Sequence, residues 1–144
     1  MNLRLLIALA VIVTACGSDT PTSPSSSSSS STTVAEPTVS ETWDTTLAIG
    51  GARFYSFKVA TNGTVNVTVA SVTVDDVPTM TTLGLGLGRP EGTGCTTSST
   101  VTVATDAAAP QLTGTYAPGV YCVRVWDAGN FSTGVRLSIV VAHP

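Results

Sequence analysis

From Thr42 to the C-terminus, apolar residues recur at every second position, and Gly, Pro and Asn interrupt the alternation. Trp43, Leu47 and Ile49 share one parity ahead of Gly50-Gly51. Tyr55, Phe57 and Val59 alternate with Phe54, Ser56 and Lys58, and Asn62-Gly63 is a strong hairpin-turn signal. Val65, Val67 and Val69 follow, then Leu83, Leu85 and Leu87 set against glycines. Val101, Val103, Leu112, Tyr121, Val123 and Val125 continue the pattern, and Val135, Leu137, Ile139 and Val141 complete it. A period of two marks strands with one face buried. No stretch of a dozen residues repeats at 3.6, and Ala107-Ala108-Ala109 is cut by Pro110. The expectation is an all-β domain over 42–144, a jelly-roll-like antiparallel β-sandwich of seven to eight strands. Val (19) and Thr (25) supply 44 of the 144 residues, a composition suited to pleated sheets.

The first 41 residues follow different rules. Met1-Asn2-Leu3-Arg4 is a short positive stretch, and Leu5–Val13 is uncharged and apolar. As a helix those nine residues reach about 13 Å, too short for a hydrocarbon core of about 30 Å, so they read as an export signal rather than a lasting span. Val13-Thr14-Ala15-Cys16 resembles the bacterial lipobox, an aliphatic residue and two small ones before the cysteine that receives lipid. The resemblance implies a signal peptide over 1–15, a diacylglyceryl group on Cys16, and membrane attachment through that lipid. Gly17-Ser18 after the cysteine, where an Asp would resemble an inner-membrane retention signal, favours an outer-membrane or cell-surface destination. Residues 16–41 include seven consecutive serines, Ser25 to Ser31. A segment so poor in apolar surface cannot offset its ordering entropy, which predicts a disordered linker. A flexible chain of that length spans on average about 25–30 Å, enough to hold a domain clear of lipid headgroups.

Cysteine use then acquires a meaning. With Cys16 committed to lipid, Cys95 and Cys122 are left as an even pair in an exported chain, which reads as a disulfide. No His or acidic cluster accompanies them to argue for a metal or a reactive thiol. Cys122 has the parity opposite to Tyr121 and Val123, so the bridge is expected to pin the loop from Arg89 to Thr97 over an outer sheet face.

Charge excludes more than it assigns. Residues 42–144 carry five Lys/Arg against six Asp/Glu, so no electrostatic footprint for nucleic acid is expected. The single His is the next-to-last residue, which argues against a His-based triad or a His/Cys zinc site. Asp44, Asp106 and Asp127 are the candidates for paired catalytic carboxylates, yet nothing in their spacing brings them together. Asp75-Asp76 could contribute to a calcium site only with several further oxygen ligands, and a solvated loop before Pro78 is the simpler expectation. Gly84-Leu85-Gly86-Leu87-Gly88 lacks the following helix that a dinucleotide loop requires and reads as a glycine-rich strand. No catalytic residue, cofactor or metal is expected.

The strand sequences carry a resemblance of their own. Gly50-Gly51-Ala52-Arg53-Phe54-Tyr55-Ser56-Phe57-Lys58-Val59 followed by Gly63 to Val69 resembles the opening of bacterial pre-peptidase C-terminal domains. Ala117-Pro118-Gly119-Val120-Tyr121-Cys122-Val123-Arg124-Val125 is similar to that family's Gly-x-Tyr-x-x-x-Val strand, and Val135 to Val141 to its closing strand. The resemblance covers about 47–141. It implies an eight-stranded jelly-roll-like sandwich that is usually appended to secreted enzymes and aids binding or secretion. Some members bind calcium through acidic residues. Thr81-Thr82-Leu83-Gly84-Leu85 lacks the acidic residue often found before that apolar pair.

Four aromatics have functional appeal. Phe54 and Trp126 take the outward parity, and Tyr116 and Phe131 fall near loops. Exposed rings can stack on sugars or anchor a protein interface, and the alternative is that Trp126 packs under the Cys95 loop and Phe54 beneath the chain entering from the linker. The chain is therefore expected to be a monomeric, non-enzymatic, lipid-anchored envelope protein whose module binds polysaccharide or a protein. The alternative is a structural or assembly lipoprotein with no ligand of its own.

Overall fold

The computed structural model describes residues 33–104 and 108–144; the leader, Cys16, the serine run and Asp106 lie outside the described residues. Every regular element among the described residues is a β-strand. β1 (Val39–Leu47) pairs antiparallel along its whole length with β9 (Val135–His143). Inside that pair lies a second, β2 (Ala52–Val59) with β8 (Gly119–Asp127). A third joins β3 (Gly63–Val74) to β7 (Leu112–Tyr116), and the innermost joins β5 (Thr82–Glu91) to β6 (Gly94–Ala104). β9 also pairs β3, and β8 also pairs β5, so the nested pairs fall alternately into two sheets. One sheet is ordered β1-β9-β3, with β7 and the two-residue β4 (Val77–Pro78) both beyond β3; the other is β2-β8-β5-β6. Apart from β4, this is the strand order of a jelly roll.

β4 is the ninth strand, one more than the pattern predicts. It exists because Asp75 (φ 48°) and Asp76 (φ 65°) turn the chain back in two residues, with Val74 opposite Val77. Two successive positive φ values define the tight hairpin turn that tolerates Asp, Asn and Gly.

The core is the interleaved inner faces. Val65, Val67, Val69, Leu83, Leu85, Val125, Ile139 and Val141 are fully buried, as are Leu47 and Val59. Burying each such side chain contributes about 1.5–3 kcal/mol. Three positions depart from simple alternation. Ile49 is 60% exposed, because Gly51 N–H donates to Ala48 O and Gly50 adopts φ 64°, closing a turn that carries Ile49 off the end of β1. Val72 is buried although it has the opposite parity to Val69, because the β3–β9 register shifts between Val69 and Ser71. A bulge leaves one residue unopposed and reverses every later side chain. Phe131, in the connection before β9, also enters the core.

Ordered structure begins before Thr42. Thr64 N–H donates to Ala35 O, Ala35 N–H to Asn62 O, and Thr38 N–H to His143 O. The last residues of the expected linker are thus held by backbone bonds to the turn before β3, to β3 and to β9, and β1 starts at Val39.

Candidate functional site

β5 is apolar on one face and bare on the other, and the bare face is covered. An added Cβ at Gly84 would lie 1.9 Å from the indole Cε2 of Trp126, and at Gly86 2.6 Å from the methyl of Thr97. At Gly88 it would meet the carbonyl oxygen of Thr96 at 1.9 Å. The glycines therefore admit β8 and β6 side chains and the β6 backbone onto the outer surface of β5, and residues Leu83 to Gly88 are all buried.

Cys95 and Cys122 meet at disulfide distance, with Sγ–Sγ 2.06 Å and Cα–Cα 5.9 Å. Cys95 stands on β6 and Cys122 on β8, with β5 between them. Two strand spacings in a flat sheet amount to about 9.5 Å, so the end of the β5–β6 hairpin must fold out of the sheet and over its outer face. A second register shift, between Leu87 and Gly88, allows that fold. The segment expected as a loop is instead a continuing hairpin turned at Gly92 (φ 56°).

The folded-back hairpin walls a groove. Arg53 and Phe54 from β2 and Arg124 from β8 line one side; Glu91, Thr93 and Thr96 from the hairpin line the other, around a space of about 480 Å³. Phe54 stands directly opposite Arg124 in the β2–β8 register and is 39% exposed. Trp126 lies two residues further along the same face, and the Arg124 guanidinium carbon is 5.5 Å from its ring centre. Phe54, Arg124 and Trp126 thus form one contiguous strip on the outer face of the four-stranded sheet.

The other two aromatics leave the binding-face set. Tyr116 packs edge-on against Tyr121, ring centres 5.0 Å apart, and joins the rim of the core. Phe131 is only 9% exposed. Its burial follows from Asp127, whose Oδ1 accepts from the N–H groups of Gly129, Asn130 and Phe131 while Oδ2 accepts from Gly50 N–H. The Gly50 amide, with the other three amides, holds the Asp127 carboxyl below the ordinary carboxylate range, against a smaller opposing effect of burial. Asp127 is a fastener for two turns.

Asp76 and Glu41 have partners of a structural kind. Asp76 Oδ1 accepts from Arg136 Nη1 at 2.8 Å, both side chains largely exposed. Among the described residues, no three His, Cys, Asp or Glu side chains gather as a metal site would require. His143 is nearly buried, with Nε2 3.0 Å from Glu41 Oε1 and its ring 5.2 Å from that of Phe57. Its near-terminal position argued only against a triad or a zinc site; its parity with Val141 is the signal that it belongs to β9.

No family model, curated protein or solved structure matches this chain.

Proposed function

We propose that this chain is a non-enzymatic, lipid-anchored envelope protein that displays a β-sandwich binding module for a polysaccharide or protein ligand. The observation that carries the reading is the strip Phe54–Arg124–Trp126 beside the hairpin-walled groove. Phe54 sits outside the packed core, with over a third of its surface in water. An exposed ring beside a cation and a concave wall is the arrangement that stacks on a ligand and orients it. The lipobox-like Val13-Thr14-Ala15-Cys16 and the serine-rich stretch support anchorage and display. The jelly-roll strand order supports kinship with pre-peptidase C-terminal domains.

Ligand binding is tested in full-length protein carrying Trp43→Phe, so that Trp126 is the sole indole. Titration with solubilised envelope extract is expected to shift or quench its emission, and Phe54→Ala to abolish the response. Emission indifferent to every envelope fraction would leave the structural or assembly reading in its place. Anchorage is tested by mass: the mature protein is expected to begin at Cys16 with diacylglyceryl attached, and Cys16→Ala to leave the membrane fraction.

A further inference from the structure

We infer that the groove on the four-stranded sheet is a site for an acidic polysaccharide, a chain of sugars bearing carboxylates. The inference rests on the binding-module reading and names the chemical class of its ligand.

The near-neutral charge of the domain conceals a division between its sheets. Among the described residues, the sheet β2-β8-β5-β6 and its turns hold Arg53, Lys58, Arg89 and Arg124, all exposed, against Glu91 and Asp127. The other sheet holds Arg136 against Glu41, Asp44, Asp75 and Asp76. Both acids on the cationic side keep their charge, Asp127 bonded to four backbone amides and Glu91, on the groove's wall, to the hydroxyl of Thr96, so the cations there outnumber the anions by four to two. One sheet with its turns thus holds an excess of cations and the other an excess of anions, and the groove lies on the cationic sheet. A face of one sign raises the local concentration of ligands of the other.

The details of the groove select among anions. Two of its lining residues, Arg53 and Arg124, carry the planar fork that binds a carboxylate through two parallel N–H bonds. Trp126 backs the Arg124 guanidinium at 5.5 Å, which restrains it before any ligand arrives. Phe54 offers an apolar ring directly opposite Arg124 in the β2–β8 register, suited to the C–H face of a sugar. The hairpin wall makes the site a trough; an extended glycan chain can lie in it, whereas a planar bilayer meets the wall first.

The test uses full-length protein in mild detergent and three probes: immobilised polygalacturonate, a neutral β-glucan, and phosphatidylglycerol vesicles. Retention on polygalacturonate is expected, stronger than on the neutral glucan and weakening as salt is raised. Arg124→Ala is expected to lower that affinity about tenfold, the loss of one charge-assisted bond pair, with Arg124→Lys retaining part of it. Phe54→Ala weakens both glycans. An Ellman assay and the circular dichroism spectrum confirm that each variant keeps its bridge and fold. Equal retention on neutral glucan, with Arg124→Ala silent, overturns the acidic-glycan inference and leaves the module reading standing. Binding to vesicles without binding to polygalacturonate overturns it in favour of a lipid surface. No retention on polygalacturonate while Trp126 still responds to envelope extract overturns this inference alone; silence in both assays overturns both.

Discussion

Trp126 occupies the place where a side chain at Gly84 would stand, its Cε2 1.9 Å from the position a β-carbon would take. One residue is bare so that the other can lie against the sheet. Gly84→Ala is therefore expected to force the indole outward at a cost of about 1–3 kcal/mol. Gly94→Ala, where the nearest atom is 3.6 Å away, serves as the control and is expected to stay within about 0.5 kcal/mol. Urea unfolding, with tryptophan emission as the probe, measures both. A silent Gly84→Ala would contradict the packing described.

The bridge between Cys95 and Cys122 closes a separation of 27 residues. In chain-entropy terms its loss costs about 3–4 kcal/mol. Cys95→Ser with Cys122→Ser is expected to lower the urea midpoint accordingly and to free the hairpin that walls the groove, weakening ligand retention more than Gly94→Ala does. The denatured mature protein is expected to contain no free thiol, and an Ellman titration that finds two would refute the pairing.

Asp127 links stability to acid. Its carboxyl is held below its ordinary value of 3.8, first by the Gly50 amide and then by those of Gly129, Asn130 and Phe131. A group whose folded pKa is depressed contributes stability that is fully present above the unfolded value and is lost as pH falls through the folded one. The stability difference between wild type and Asp127→Asn is therefore expected to be constant at neutral pH and to shrink below about pH 4. Denaturant midpoints from pH 7 to pH 2.5 provide the check; a difference that shifts instead near pH 6 would point to another group.

Phe131 and Phe54 should separate core from site. Phe131→Ala removes a ring in the core cluster and is expected to cost about 3–5 kcal/mol. Phe54→Ala truncates a ring 39% exposed and is expected to cost under about 1 kcal/mol while reducing ligand binding. Thermal and urea denaturation of the two variants read the contrast.

Alternation made most of the core legible, because a pleated strand with one wet face writes its orientation into every second residue. It foretold Val65 to Val69, Leu83 to Leu87 and Val135 to Val141. It misplaced Ile49 and passed over Val72 because a turn and a bulge shift parity without any mark in hydrophobicity. Phe131 was misread for a related cause: four amide bonds to one carboxylate aim it inward, and such bonds depend on where Gly50 and Asp127 meet in space. The glycines of β5 were legible as a strand, but what lies against them was not, since the partners come from Trp126, Thr96 and Thr97. The candidate groove was half legible: outward parity singled out Phe54 and Trp126, while the wall opposite required the hairpin to fold back.

β9 lies between β1 and β3, so the larger sheet has no continuous interior until Val135–His143 is in place. The first strand waits for the last. Contacts between such distant segments make folding slow and leave little to be gained from partial synthesis. Delivered N-terminus first, the domain completes its larger sheet only once β9 has emerged.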